Sequence, residues 1–256
     1  MTFTSAATLD EALHAVAGGA RPVAGGSDLV VGARQGKAPL PEALVAIDRL
    51  QELTGIDETS DGVRIGALAR HADIEVSPLL TDRYSALADG SALVGSPATR
   101  NVGTLGGNVM NGSPAMDTGA PLVVLGAEVE LRSPGAARRV AIESLWTGPG
   151  KTAAGADELC VAIHLPPPAA GSGSAYVRLE YRRAMEIAVV GAAAHVALAA
   201  DGTVSECRIA LAAVAPTIIR APLAEQAIVG SSPWLEPLAS VAAAASEASR
   251  PLSDLR

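Results

Sequence analysis

The residues best suited to chemistry lie in two glycine-bearing stretches, Ala24-Gly25-Gly26-Ser27-Asp28 and, far along the chain, Ala98-Thr99-Arg100-Asn101-Val102-Gly103-Thr104-Leu105-Gly106-Gly107-Asn108. Paired glycines lack Cβ atoms and tolerate positive φ, so successive backbone N–H groups can turn toward one anion and approach it closely. Ser27, Thr104 and Asn108 add short hydrogen-bonding side chains to the same neighbourhood. A diphosphate clasped between two such loops needs no lysine or arginine if enough amides converge on it. Either stretch taken alone is most simply a turn, whereas the two together specify a dinucleotide far more sharply. Neither is a Rossmann fingerprint, since the first lacks the spacing and Gly103, Gly106 and Gly107 do not fit G-x-G-x-x-G. No Gly-Lys-Ser/Thr follows to make a P-loop.

Other candidates are weaker. His14, His71, His164 and His195 share no motif spacing and read as structural, so no general base is assigned. Cys160 and Cys207 cannot supply the four thiolates of an iron–sulfur cluster and are expected to be buried free thiols. Cys160 and His164 share a strand face by alternation, but two ligands make a poor metal site, and no metal is assigned to this chain. Arg182, Arg183 and Glu186 could position an oxidising substrate, or form a solvated charge cluster, which is the simpler reading. The Ser96-Pro97 and Ser113-Pro114 steps stiffen a loop.

Around these residues must fold a chain of 256 residues whose net charge of -8 comes from interspersed acids and bases, which argues against nucleic-acid binding. With one Phe, two Trp and three Tyr the core must be aliphatic. The longest uncharged apolar stretch, Ile187 to Ala200, falls short of the roughly 18 residues that suggest a membrane span, so none is expected. Met1 to Leu13 lacks a basic start and an apolar run, does not read as an export signal, and leaves the cytoplasm as the expected compartment.

Thr8 as N-cap with Glu11 three positions on predicts a first helix ending at Gly18-Gly19. Pro22 to Ala24, Leu44 to Ile47 and Val63 to Gly66 predict short strands, and Leu80 to Leu93 a helix. Gly95 to Pro114 reads as one long loop. Glu128 to Arg132, Arg139 to Ile142 and Glu158 to Leu165 predict strands of an antiparallel meander. Pro166 to Ser174 reads as a domain boundary, followed by strands at Tyr176 to Tyr181, Ile187 to Leu198 and Val204 to Val214 and helices at Pro222 to Val229 and Trp234 to Ala248.

Taken in order, these segments resemble the FAD-binding subunits of the molybdenum hydroxylases: the xanthine, carbon monoxide, aldehyde and aromatic N-heterocycle dehydrogenases. The resemblance runs essentially from 1 to 256, through Ala24 to Leu29, Thr104 to Asn108, Asn111 to Pro114 with Asp117-Thr118, Leu145 to Thr152, Glu158 to Pro166, Arg182 to Ala188 and Ile209 to Pro222. It implies an α+β fold. A two-subdomain FAD-binding domain of the vanillyl-alcohol-oxidase (PCMH) type would span 1–170, with subdomains near 1–57 and 58–170, and a small C-terminal α/β domain would span 175–256. Carried over by position, it implies a cofactor site of Arg21, Pro22, Val23, Ala24, Gly25, Gly26, Ser27, Asp28, Leu29, Thr99, Thr104, Gly106, Gly107, Asn108, Met110, Asp117, Leu159, Cys160 and Arg178. In it Gly25 and Gly26 lie nearest the diphosphate, and Arg178 stands where some relatives carry a lysine close to the flavin. The family continues beyond Pro251 to Arg256 into a further helix, which implies a shortened C-terminal domain or an incomplete chain here.

The resemblance further implies an enzyme whose molybdopterin centre lies in a large subunit and whose 2Fe–2S clusters lie in a small one. FAD in this chain would pass electrons to NAD⁺, oxygen or another oxidant, and the assembly would be a dimer of heterotrimers. Two other readings stand beside it. A freestanding FAD oxidoreductase would need an acid–base constellation that the motifs lack. A non-catalytic assembly scaffold of the same fold would have no use for intact glycines in both loops.

Overall fold

The computed structural model describes residues 1–36, 39–182, 185–232 and 238–252. The chain forms three successive α+β layers. The first holds β1 (Thr2–Ser5), α1 (Leu9–Ala17), β2 (Arg21–Val23), α2 (Ser27–Arg34) and β3 (Ala43–Ala46), with the strands in a parallel sheet ordered β1-β3-β2. Thr8 caps α1 as expected: its hydroxyl accepts from the Glu11 amide at 3.2 Å, and the Glu11 carboxylate reaches back to the Ala7 amide at 2.8 Å. Ala12, Leu13 and Val16 on one face of α1 then bury against Val45, Ile47, Leu50 and Leu53.

The second layer runs through β4 (Ile56–Thr59), β5 (Gly62–Gly66), α3 (His71–Glu75), α4 (Pro78–Arg83), α5 (Ser85–Ala92), α6 (Pro97–Arg100), α7 (Leu105–Asn111), α8 (Gly119–Val124), β6 (Glu128–Ser133), β7 (Ala136–Ala141), α9 (Ile142–Leu145), β8 (Trp146–Gly148), β9 (Lys151–Thr152) and β10 (Leu159–Leu165). Its five-stranded antiparallel sheet is ordered β4-β5-β10-β6-β7. The expected meander is therefore corrected: β6 and β7 form a hairpin, but β10 inserts on the other side of β6. Burial explains the order. Strand β10 is buried at every position but His164 and needs neighbours on both edges, whereas β7 is exposed save for Val140 and carries Arg138 and Arg139 at the rim.

The expected long loop at 95–114 contains two helices, α6 and α7, and the single helix expected at 80–93 is two, broken at Tyr84. Ser96 caps α6 and Thr104 caps α7, each hydroxyl accepting an amide at 3.2 Å. The third layer is an antiparallel sheet β11 (Ser172–Leu179), β12 (Val190–Leu198), β13 (Val204–Ala212) and β14 (Ile219–Arg220), backed by α10 (Pro222–Ile228) and α11 (Leu238–Ala248). Strand β11 starts inside the expected linker, because α5 seals its edge. Asp89 accepts from the Tyr176 amide at 3.1 Å, the Ser85 hydroxyl donates to the Ser174 carbonyl, and the Ala86 amide donates to the Ser174 hydroxyl. Tyr176, Ala193, Ala210 and Ala212 on the inner face of this sheet join the main core with Ile65, Leu87, Leu122 and Ile163. Trp234 and Arg183, named above, lie outside the described residues. No described helix is long and apolar enough to cross a membrane.

Candidate functional site

The first glycine stretch connects β2 to α2 at the carboxyl end of the parallel sheet, where ligands of open α/β sheets gather. Gly26 is the N-cap of α2, in the left-handed region at φ 68°, and offers no capping side chain. Among the described residues, the backbone amides from Gly25 through Leu29 find no acceptor in the protein. Five consecutive free donors at the positive end of a helix form an anion cradle.

The second stretch is pinned to the start of α3. Arg70 and Thr104 form an isolated antiparallel bridge, His71 donates its amide to the Gly103 carbonyl at 3.1 Å, and Leu105 donates to Ala69 at 2.9 Å. Gly106 donates to the Ala67 carbonyl at 2.9 Å, Gly107 to the Thr104 hydroxyl at 3.2 Å and Asn108 to the Thr104 carbonyl at 3.0 Å. Here the expectation of free amides from both loops is corrected: the amides of Leu105 to Asn108 are spent inside the protein. What this loop turns outward is the bare Cα of exposed Gly107, while Gly106 is buried so closely that a Cβ would stand 2.6 Å from that of Ala67.

The two loops touch. A Cβ on Gly25 would lie 1.7 Å from the Val102 carbonyl oxygen, and one on Gly103 would lie 3.7 Å from the Ser27 hydroxyl. Beside this contact opens a cleft of about 730 Å³ lined from the first loop by Ala24 and Gly25 and from the second by Asn101, Val102 and Thr104. That volume suits a cofactor site. Leu68, Ala69, Arg70, Asp73 and Asp48 complete the walls on this side. A dinucleotide's diphosphate fits these residues: backbone meets backbone with no room for a Cβ, and Gly25, whose amide is free, lines the same opening.

The remaining expected site residues are more dispersed. Arg21 is exposed on β2, and Pro22 and Val23 are half-buried beside it. The Thr99 hydroxyl bonds that of Ser96 at 3.0 Å. Met110 packs against the main core, and Leu159 and Cys160 are buried in β10. Both cysteines are free and buried, and burial pushes the Cys160 thiol up to about 12. The amide oxygen of Asn108 accepts from the Thr118 hydroxyl at 2.6 Å, and the next residue back, Asp117, has both carboxylate oxygens engaged. Tyr176 donates to one at 2.9 Å and Arg178 to the other at 2.8 Å. Burial lifts the Asp117 carboxyl to about 6, against the pull of the Arg178 guanidinium and the Tyr176 hydroxyl. Arg178 also donates to the Leu93 carbonyl at 3.0 Å and pairs with Glu180. Asp117 and Arg178 thus join the second layer to the third.

Three residues at the site escape motif reading. Arg70 and Asp48 line the cleft but belong to no motif, and reach it only through the Arg70–Thr104 bridge and the parallel β2–β3 pairing. His71 is buried beneath the second loop, its ring carbon 3.4 Å from where a Gly103 Cβ would be, and its Nδ1 has no partner among the described residues. Burial, and then the nearby Arg100 charge, lower it to about 4, so it is neutral at ordinary pH. The Arg182–Glu186 pair, 3.3 Å apart with Arg182 well exposed, is a solvated surface pair as read from sequence. Among the described residues no cluster of His, Cys, Asp and Glu could hold a metal ion.

Comparison with known proteins gives this geometry a context. Residues 1–168 match the family of the FAD binding domain in molybdopterin dehydrogenase, and residues 175–256 match the CO dehydrogenase flavoprotein C-terminal domain. The chain is similar to a putative xanthine dehydrogenase FAD-binding subunit of Escherichia coli strain K12, with 36% identity over 229 residues that cover 88% of this chain and 78% of the relative. It is similar to the carbon monoxide dehydrogenase medium chain of Hydrogenophaga pseudoflava, with 35% identity over 84% of this chain and 75% of that one. A solved structure of carbon monoxide dehydrogenase from the same organism, lacking the Mo-pyranopterin moiety of its cofactor, superposes with a TM-score of 0.93 at 33% identity. It covers 100% of this chain and 89% of that chain.

Proposed function

The chain belongs to the FAD-binding medium subunits of the xanthine and carbon monoxide dehydrogenase family of molybdenum hydroxylases, and from that membership we propose that it is the electron outlet of a larger enzyme. In this reading a large molybdopterin subunit oxidises the organic substrate and a small 2Fe–2S subunit relays the electrons. This chain then delivers them to NAD⁺, oxygen or another oxidant, within a cytoplasmic dimer of heterotrimers. FAD, when bound, accepts electrons singly and releases them in pairs. The protein's part is to bind and orient. The free amides of Gly25 to Leu29 would hold the diphosphate, with the surface from Val102 to Thr104 and the bare Cα of Gly107 on its other side, and the Asp117–Arg178 pair sets the third layer against the second.

We assign the first layer to one subdomain of the FAD-binding domain (expected at about 1–57) and the second, which begins with β4 at Ile56, to its partner (expected at 58–170). The third, which begins with β11 at Ser172, we assign to the C-terminal domain (expected at 175–256). The residues carried over from the family, from Arg21 to Arg178, form the proposed cofactor contact set. The observation that carries the reading is the backbone contact between Gly25 and Val102 beside a cleft that Gly25, the first of five residues with free amides, helps to line. The test is turnover: the isolated, FAD-loaded chain should pass electrons from an artificial one-electron donor to an acceptor, yet oxidise none of the relatives' organic substrates unaided. Unaided substrate turnover overturns the proposal.

A further inference from the structure

Resting on the FAD reading above, we infer that Arg70 is the counter-charge for the cofactor's diphosphate and Asp48 the acceptor for the ribose hydroxyls of its adenosine half. Together they would make the cleft select a dinucleotide over a mononucleotide. The cleft wall carries two carboxylates, Asp48 and Asp73, and one cation, Arg70. A doubly charged diphosphate entering beside two aspartates in a protein of net charge -8 is repelled by them, and the free amides of the first loop bring only partial charge against that repulsion, which a full cation would offset. Amides of the second loop cannot, because those from Leu105 to Asn108 are already spent.

Arg70 is free to do so. Among the described residues its guanidinium has no ion pair and no hydrogen bond, whereas neighbouring Arg100 is held by Glu75 at 3.0 Å. The backbone aims it. Directly opposed residues of an antiparallel bridge project to the same side, so Arg70 emerges alongside Thr104, the cap of α7, and both line the cleft together with Gly25. A guanidinium here offers the planar, charge-assisted donor pair that phosphate oxygens match.

Asp48 follows from topology. It lies just past β3, the parallel neighbour of β2, whose carboxyl end carries the Gly25-Gly26 bend. A glycine bend at the end of one parallel strand and an acid at the end of the next, opening into one cleft, is the arrangement in which a carboxylate accepts ribose hydroxyls while amides hold the phosphates.

The test measures dissociation constants on the full chain stripped of cofactor, with FAD titrated directly and ADP and riboflavin as competing probes. Arg70→Gln should weaken FAD and ADP alike by about tenfold to a hundredfold, flatten the salt dependence of both, and leave riboflavin unchanged. Arg70→Lys should recover part of the loss. Asp48→Asn should weaken FAD and ADP by about fivefold to twentyfold without altering salt dependence. Both side chains are exposed, so the apo melting temperature should not move. Unchanged FAD affinity in Arg70→Gln, or an equal loss for riboflavin, overturns the assignment of Arg70, and unchanged ADP affinity in Asp48→Asn overturns that of Asp48. Failure of the unmutated chain to bind FAD at all is a different result and sinks the FAD reading itself.

Discussion

Substituting Gly25→Ala probes the contact between the two loops more sharply than any other single change. The added methyl would sit 1.7 Å from the Val102 carbonyl oxygen and 2.5 Å from its carbon, where ordinary contact begins at 3.4 Å. The obstacle is backbone, so no side chain can swing away, and the loops must part by about 1.7 Å. Forced repacking of this kind costs on the order of 1–3 kcal/mol. The clash lies within the folded chain, so it should lower the apo melting temperature, and because it moves one jaw of the clasp relative to the other, restoring the closed clasp should cost binding about 5- to 150-fold in FAD affinity. Gly135→Ala is the control. Gly135, in the turn between β6 and β7, needs its left-handed φ of 79°, and a Cβ there meets nothing within 4 Å. Its strain of about 1–2 kcal/mol is present with and without cofactor, so it should lower the melting temperature while changing affinity by less than about threefold. Fluorescence titration of FAD into apo-protein, with a thermal melt of each apo variant, reads both effects. Wild-type affinity in Gly25→Ala, or an equal loss of affinity in Gly135→Ala, would refute the reasoning.

The adjacent glycines of the second loop should separate in the same way. Gly106→Ala drives a methyl against Ala67 and should destabilise the protein by about 1–3 kcal/mol in urea denaturation. Gly107→Ala brings a methyl 2.9 Å from the Thr104 hydroxyl and should lower the melting temperature slightly, yet cost FAD affinity well beyond that loss of stability. Arg178→Met removes one partner of a buried ion pair, its side chain 2% exposed, and should cost about 3–5 kcal/mol and expose the junction near Ser172 to proteolysis. A wild-type proteolysis pattern would show that the pair does not join the layers. His71 gives a pH signature. Its folded-state value, lowered to about 4 from an ordinary 6.5, means that the unfolded chain takes up the proton first as pH falls. Stability present at pH 7 should therefore drain away between pH 6.5 and 4, by up to about 3 kcal/mol, and His71→Gln should flatten that window in denaturant titrations.

How much of this could be read from the sequence follows from where the stabilising contacts lie. The capped first helix was legible because Thr8, Glu11, Leu13 and Val16 are local. Central strands were legible because alternation or a solid apolar run survives in them. Helix α2 was not, because it buries no residue and so carries no apolar period. Nor was α7, whose Leu-Gly-Gly-Asn-Val-Met-Asn sequence is poor helix material held by the Thr104 cap and by Gly106 lying against Ala67. The insertion of β10 between β5 and β6 depends on burial demand rather than on chain order. In the site, the two glycine bends announced themselves, and the structure brings them into contact. Arg70, Asp48 and His71 did not, since a bridge, a parallel pairing and a buried ring are properties of the fold rather than of any spacing.

The central claim is that the Gly25-Gly26 bend and the loop at Val102 to Thr104 close on one FAD. Its most direct measurement is reconstitution of the apo-chain with FAD, followed through the visible flavin bands. The account predicts saturation at one FAD per chain, with intact FAD released on denaturation. A colourless chain that takes up no FAD, or one that binds it equally well after Gly25→Ala, would contradict it.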